Sequence, residues 1–340
     1  MATQGRPEIQ YLPVEIDLLF SEVAQVARPF QIYTLLGDQY LPYMAPGSLL
    51  TEEIRQKLRK SGTAILYIDE KDKLALRDYV DRNLGGILQD SSLTPETKSK
   101  VVYDVCMYNI ETLWATPRAE VIEKGKEIFR LTVDYMVSLS RHGIEQMLRM
   151  ISYDRSVYAH SVNVGLLGTV LAKEVFERSD CDLHEIGYAM FLHDIGKTRI
   201  DYQILVKPGR LSADEWEVMK RHPEMGYRIL TEEGQLSPAS AITTLQHHER
   251  FDGKGYPRKL KGNEIDPLGR ICNLVDGYDA LLARRSYKPA FSPFRAMRMI
   301  QEEMQDPVGR PIFEKFVYLF RTTAAVSPAS GLGSGLDSDL

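Results

Sequence analysis

The stretch Phe191-Leu192-His193-Asp194-Ile195-Gly196-Lys197 sets an adjacent histidine and aspartate directly behind the apolar run Ala189-Met190-Phe191-Leu192. Such a run belongs in a core, and a carboxylate at its end is costly to bury unless something compensates its charge. Asp276 repeats the anomaly, because it closes the apolar run Ile271 to Val275 within Asp276-Gly277-Tyr278-Asp279-Ala280. The chain has 7 histidines, and five of them, His160, His193, His222, His247 and His248, fall in one pattern with these carboxylates. Taken singly, each reads as a satisfied core or surface histidine. A bound metal accounts for all of them together.

The mixture of residue types points to more than one ion. Adjacent His247 and His248, read as helical, project about 100° apart and are expected to serve two neighbouring ions rather than one. A carboxylate such as Asp194 has two oxygens and can bridge two cations, whereas an imidazole offers one nitrogen to one metal. Nitrogen and oxygen ligands without thiolate suit iron, manganese or another six-coordinate first-row ion, among which the sequence does not choose. Cys106, Cys181 and Cys272 are too widely spaced for a disulfide framework or a CxxC metal knuckle. His142 and His184 fall outside the pattern and read as surface or capping residues.

The rest of the chain bounds what surrounds this cluster. A length of 340 residues predicts two domains. With 44% hydrophobic and 26% charged residues the composition excludes wholesale disorder, collagen and a coiled-coil rod. No uncharged apolar run suffices for a membrane span, and Glu15, Asp17 and Glu22 lie where a signal peptide needs apolar residues, so a cytoplasmic location is expected. The net charge of −5 gives no general attraction for nucleic acid.

Local signals predict a mainly α chain: a smaller α+β N-terminal domain, a long connecting helix and an all-helical C-terminal domain. Phe30 to Leu36 and Gln39 to Met44 read as strands joined at Gly37-Asp38, a two-residue hairpin signal. Thr51 to Arg59 reads as a helix, Thr63 to Ile68 as a strand, and Lys71 to Leu84 as a helix stopped by Gly85-Gly86. Thr94 before Pro95 predicts a helix start. Phe129, Val133, Met136 and Val137 recur at helical spacing, so residues 119 to about 150 are expected to form one amphipathic helix that joins the domains and mediates a homodimer. The expected division is 1–117 as a regulatory α+β domain, 118–152 as the connecting helix, 153–325 as the domain carrying the cluster, and 326–340 as a disordered tail rich in Ser, Gly and Pro. Ser212-Ala213-Asp214-Glu215 reads as a capping box opening the helix that delivers His222.

The segments Phe191 to Lys197, Ile204-Leu205-Val206-Lys207-Pro208-Gly209, His222-Pro223, and His247-His248-Glu249-Arg250-Phe251-Asp252-Gly253-Lys254-Gly255-Tyr256-Pro257 together resemble the HD-GYP domains. The resemblance runs from about Asp154 to Lys288 and rests on several separated motifs in one order. It implies an all-helical, metal-dependent phosphodiesterase that opens the bacterial second messenger cyclic di-GMP to linear pGpG, with GGDEF-type or other signalling partners. Two other readings stand beside it: an effector that binds a cyclic dinucleotide without turnover, and an HD-type phosphohydrolase acting on mononucleotides.

Carried over position by position, the resemblance implies His160, His193, Asp194, His222, His247, His248 and Asp276 as ligands of two divalent ions, with Asp194 bridging. Lys197 is implied at the scissile phosphate, Arg285 and Lys288 at the phosphates of the bound dinucleotide, and Gly255 and Tyr256 of the Gly-Tyr-Pro signature against the ligand. Three-metal members of the family carry a glutamate one turn before the first histidine. Here that position is Ser156, so two metals rather than three are expected, with Asp154 the nearest alternative carboxylate. Ile200-Asp201-Tyr202 departs from the family's Ile-Pro-Asp and is expected to alter the lip of the pocket.

Overall fold

The computed structural model describes residues 10–19, 28–49, 51–149, 156–176, 182–233, 236–282, 291–303 and 309–320. Arg285, Lys288, Asp154 and the expected tail lie outside them. Near the N-terminus, β1 (Tyr11–Glu15), β2 (Ile32–Leu36), β3 (Gln39–Met44) and β4 (Ile65–Asp69) form an antiparallel sheet in the order β1-β4-β2-β3. The hairpin between β2 and β3 turns at Gly37 and Asp38, with Gly37 at φ +59. The short α1 (Ile16–Leu19) follows β1, and α2 (Glu52–Lys60), capped by Thr51, precedes β4. The sheet packs through Val14, Ile32, Leu66 and Ile68 onto α3 (Lys73–Gln89).

The helix α3 runs through Gly85 and Gly86 instead of stopping there. Two glycines cost a helix roughly 1 kcal/mol each relative to alanine. Leu84 and Ile87 on either side of them are fully buried, and that burial carries the helix onward. Next, α4 (Pro95–Ala115) starts where Thr94 accepts a hydrogen bond from the Thr97 amide. Its Val101 and Val105 pack in the sheet's core while Val102, Cys106, Ile110 and Leu113 pack in the larger helical core. One helix therefore belongs to both hydrophobic clusters.

The expected connecting helix is two helices, α5 (Ala119–Ser138) and α6 (Arg141–Arg149). Leu139 is extended (φ −65, ψ 136), and the Ser140 hydroxyl accepts from the Gly143 amide, so a serine cap starts a new helix where apolar periodicity alone suggests continuity. The apolar face of α5 does not project outward. Phe129 and Val133 are completely buried and Met136 nearly so in the chain's own core, leaving Val137 exposed.

Around α5 the chain builds α7 (Val157–Val175), α8 (Leu183–Phe191), α9 (Tyr202–Leu205), α10 (Ala213–Met219), α11 (His222–Arg228), α12 (Pro238–Gln246), α13 (Pro267–Leu282), α14 (Pro293–Glu303) and α15 (Arg310–Phe320). Every residue of α7 from Ser161 to Ala172 is buried, which makes it the central helix, with α8 and α13 against it. The capping box at Ser212 opens α10, but α10 ends at Met219 and His222 opens the next helix. Among the described residues no helix is long and apolar enough to cross a membrane.

Candidate metal centre

Five elements converge on the site. Near its start α7 carries His160, His193 and Asp194 follow the end of α8, His222 opens α11, His247 and His248 follow α12, and Asp276 lies within α13. The close seating of two of these elements depends on Gly196. A Cβ there would sit 1.9 Å from the His222 carbonyl oxygen and 2.5 Å from the Gly226 nitrogen, so only glycine lets the turn after Asp194 lie backbone to backbone on α11.

Asp194 is at the middle of the cluster. Its Oδ1 is 3.2 Å from His222 Nε2 and 3.7 Å from His247 Nε2, and its Oδ2 is 3.5 Å from His193 Nε2 and 3.8 Å from His160 Nε2. Asp276 spans the outer side, with Oδ1 3.2 Å from His160 Nε2 and Oδ2 3.8 Å from His248 Nδ1. The ligand atoms fall into two groups, each within 4.8 Å: Asp194, His222, His247 and His248 in one, His160, His193 and Asp276 in the other. All seven sequence-assigned ligands are thus brought together. His247 and His248 fall in the same group, their ring centroids 4.1 Å apart, contrary to the divergence expected of a helical pair. His247 is the C-cap of α12 and His248 follows it, and both rings reach the same group of candidate ligand atoms.

The second nitrogen of four rings is fixed. His193 Nδ1 faces the Met190 carbonyl at 3.1 Å, His222 Nδ1 the Met219 carbonyl at 2.8 Å, and His247 Nδ1 the Thr244 carbonyl at 2.7 Å, always three residues back. A carbonyl only accepts, so each Nδ1 donates and each neutral ring turns the lone pair of Nε2 inward. The His222 and His247 Nε2 atoms then approach to 3.2 Å with no hydrogen to share, and the buried His193 Nε2 has no hydrogen-bond partner. Lone pairs aimed at one another and at carboxylates fit a divalent cation, and the donors are the nitrogen and oxygen set that first-row metals take.

His160 is held differently. Its Nδ1 lies 2.7 Å from Asp279 Oδ2, whose Oδ1 accepts from Asn163 Nδ2 at 2.8 Å, and Asn163 Oδ1 accepts from the Tyr103 hydroxyl of α4 at 3.1 Å. Asp279 and Asn163 were not singled out from sequence; the usable signal was the placement of Asp279 one turn beyond Asp276 on the same helix.

The electrostatics follow from burial and pairing. Desolvation lowers His193, His222 and His248, which favours the neutral, ligating ring. Burial acts on His160 in the same direction, but hydrogen bonds to Asp276 and Asp279 outweigh it and raise the ring to about 10. Burial would raise Asp194, yet Lys197 and the histidines hold it well below the ordinary carboxylate value; Asp276 is held down likewise, mainly by His160. Lys197 Nζ lies 2.5 Å from Asp194 Oδ2. Ser156 caps α7 by accepting from the Ala159 amide at 3.0 Å, so its hydroxyl has a structural task one turn before His160.

Two hollows flank the site, of about 480 and 680 Å³, and His248, Tyr256 and Trp216 line both. Tyr256 stacks on His248 with centroids 4.7 Å apart and planes at 30°. Gly255 permits this placement, since a Cβ there would meet the His248 carbonyl oxygen at 2.6 Å and the Arg250 nitrogen at 2.3 Å. Buried Glu249 closes the same loop by accepting from the Arg258 and Leu260 amides at 2.6 and 2.9 Å. Asp201 caps α9, and the exposed Tyr202 borders the larger hollow with Lys197.

Comparison with known proteins agrees with this geometry. Residues 154–309 match the HD domain family. The chain is 30% identical over 291 residues to the cyclic di-GMP phosphodiesterase PA4108 of Pseudomonas aeruginosa, covering 81% of this chain and 70% of that protein. It is 39% identical over 168 residues to a cyclic di-GMP phosphodiesterase of Thermotoga maritima, covering 48% of this chain but only 45% of the relative. In solved structures, Bd1817, an HDG"Y"P protein from Bdellovibrio bacteriovorus, shares the fold with a TM-score of 0.63 at 16% identity over 92% of this chain and 100% of that one. With an intact run of metal-ligand positions, a Gly-Tyr-Pro loop seated beside them and a relative aligned over most of both lengths, the chain belongs to the HD-GYP family.

Proposed function

We propose that this chain is a metal-dependent phosphodiesterase that hydrolyses cyclic di-GMP to linear pGpG, using two divalent cations of iron or manganese. The observation that carries the reading is Asp194, which directs one oxygen at His222 and His247 and the other at His160 and His193. The relatives named as cyclic di-GMP phosphodiesterases support the choice of substrate. When bound, two divalent cations activate a water and offset the charge of the scissile phosphate.

The remaining work falls to the chain's own residues. His160, His193 and Asp276 would hold one cation and His222, His247 and His248 the other, with Asp194 available to both. Lys197, which borders the larger hollow, donates to the scissile phosphate and to the departing ribose 3′ oxygen as its bond to phosphorus breaks. Gly255 and Tyr256 form a wall for the ligand, and Arg285 and Lys288 meet its phosphates. Residues 1–117 act as the regulatory region. Signalling partners of the GGDEF type and a homodimer belong to the same proposal; with the apolar face of α5 spent on the chain's own core, the dimer uses another surface.

The test is to incubate anaerobically purified protein with cyclic di-GMP and ferrous iron or manganese and resolve the products by chromatography. The expected result is metal-dependent appearance of pGpG. Saturable binding of cyclic di-GMP with no product under any metal would replace the enzyme reading with that of an effector.

A further inference from the structure

A cavity of about 650 Å³ lies away from the metal centre, between the N-terminal sheet, α3 and α4. That volume is in the range of small-molecule sites, roughly 300–1,000 Å³. Its walls are largely apolar, with Val14, Leu76, Val80, Val101 and Val105 among the lining side chains. The charges around it are unevenly matched. Lys100 pairs with Glu15, Arg77 lies 4.0 Å from Glu111 and covers the Tyr108 ring, and Lys73 is exposed. Asp81 and Asp104 also line the cavity; Asp104 is exposed with Lys100 nearby, whereas the half-buried Asp81 accepts a hydrogen bond from Asn109 and faces Arg77 without an ion pair within 4.0 Å among the described residues. Burial, then neighbouring Asp78, lifts Asp81 to about 6, a sign of how poorly its charge is solvated.

The same cavity touches the metal centre's support. Tyr103 and Ala159 both line it, Ala159 immediately precedes His160, and Tyr103 begins the hydrogen-bonded series through Asn163 and Asp279 to His160 Nδ1. We propose that this cavity binds a small primary amine with an apolar body, and that Tyr103 conveys its occupancy to His160. Apolar walls take the body of such a ligand, and Asp81, which has a hydrogen bond but no ion pair among the described residues, favours an ammonium over an alcohol or an acid. The binding step stands on the cavity alone; the coupling rests on His160 being a metal ligand.

The probe is n-heptylamine, with 1-heptanol and heptanoate as controls of equal chain length, titrated calorimetrically into the full chain. One saturable event is expected for the amine, about tenfold tighter than for either control, and Asp81→Asn should remove that preference. Val80→Phe, which fills the cavity, should weaken all three ligands alike. For the coupling, manganese affinity is read by electron paramagnetic resonance with and without saturating amine. A shift of about threefold or more is expected in the wild type and none in Tyr103→Phe, which still binds the amine. Absence of saturable amine binding, equal binding of the three ligands, or wild-type preference in folded Asp81→Asn would overturn the site. No shift in the wild type, or an equal one in Tyr103→Phe, would overturn the coupling. Neither measurement uses turnover of cyclic di-GMP, so each fails or holds independently of the proposed reaction.

Discussion

His193, His222 and His247 are oriented by backbone carbonyls within their own turns, whereas His160 is oriented by a side-chain series that crosses from α13 to α7 and on to α4. These two sides, inner and outer, are distinguished by how the ring is held and cut across the two groups of candidate ligands, since His193 groups with His160. A backbone carbonyl three residues back is fixed by the local fold and no substitution removes it. A carboxylate on another helix can be altered, shifted or neutralised. The inner side is therefore rigid by construction, and on the outer side the series of hydrogen bonds ties His160 to Tyr103 of α4.

The largest effect should come from the residue proposed to be shared by the two cations. Asp194→Ala deletes the proposed shared ligand and is expected to remove bound metal and lower turnover by a factor on the order of 1,000 or more, checked by metal analysis and product formation. His193→Ala should behave similarly. Lys197→Ala should keep the metal and lose roughly 100-fold in kcat, since its ammonium meets phosphate rather than a cation; normal turnover would return Lys197 to a purely structural pairing with Asp194.

Smaller effects separate the two sides. Asp279→Asn should weaken metal binding about 10- to 100-fold, the usual range for a carboxylate behind a ligating histidine, and isothermal titration with manganese measures it. The matching change on the inner side is Thr244→Val. Its carbonyl holds His247, but its buried hydroxyl has no partner, so metal affinity should change less than about twofold. Equal losses in the two variants would erase the distinction between the sides.

Much of this could be read in the sequence, and the misses have physical causes. The β2–β3 hairpin was legible at Gly37-Asp38 and the start of α4 at Thr94-Pro95, because turn and cap chemistry is local. The candidate ligand set came from the ordered motifs of the HD-GYP resemblance, with the cost of burying histidines and carboxylates pointing to the same cluster. Asp279 was not, because nothing within its own helix tells a second carboxylate that supports a histidine from one that ligates. The break between α5 and α6 was hidden by apolar periodicity that runs across Ser140, and Gly85-Gly86 suggested a stop that the burial of Leu84 and Ile87 overrides. His247 and His248 were assigned to two ions by helical projection, yet at the C-terminal end of α12 both rings reach one group of candidate ligand atoms.

The central claim is that Asp194 is shared between two cations, and anomalous diffraction at the iron or manganese edge from anaerobically grown crystals tests it most directly. Two ions per chain are predicted, one among His160, His193 and Asp276 and the other among His222, His247 and His248, each bonded to a different oxygen of Asp194. A single ion, a third ion beside Ser156 at high occupancy, or a pair that leaves Asp194 unbonded would contradict the account.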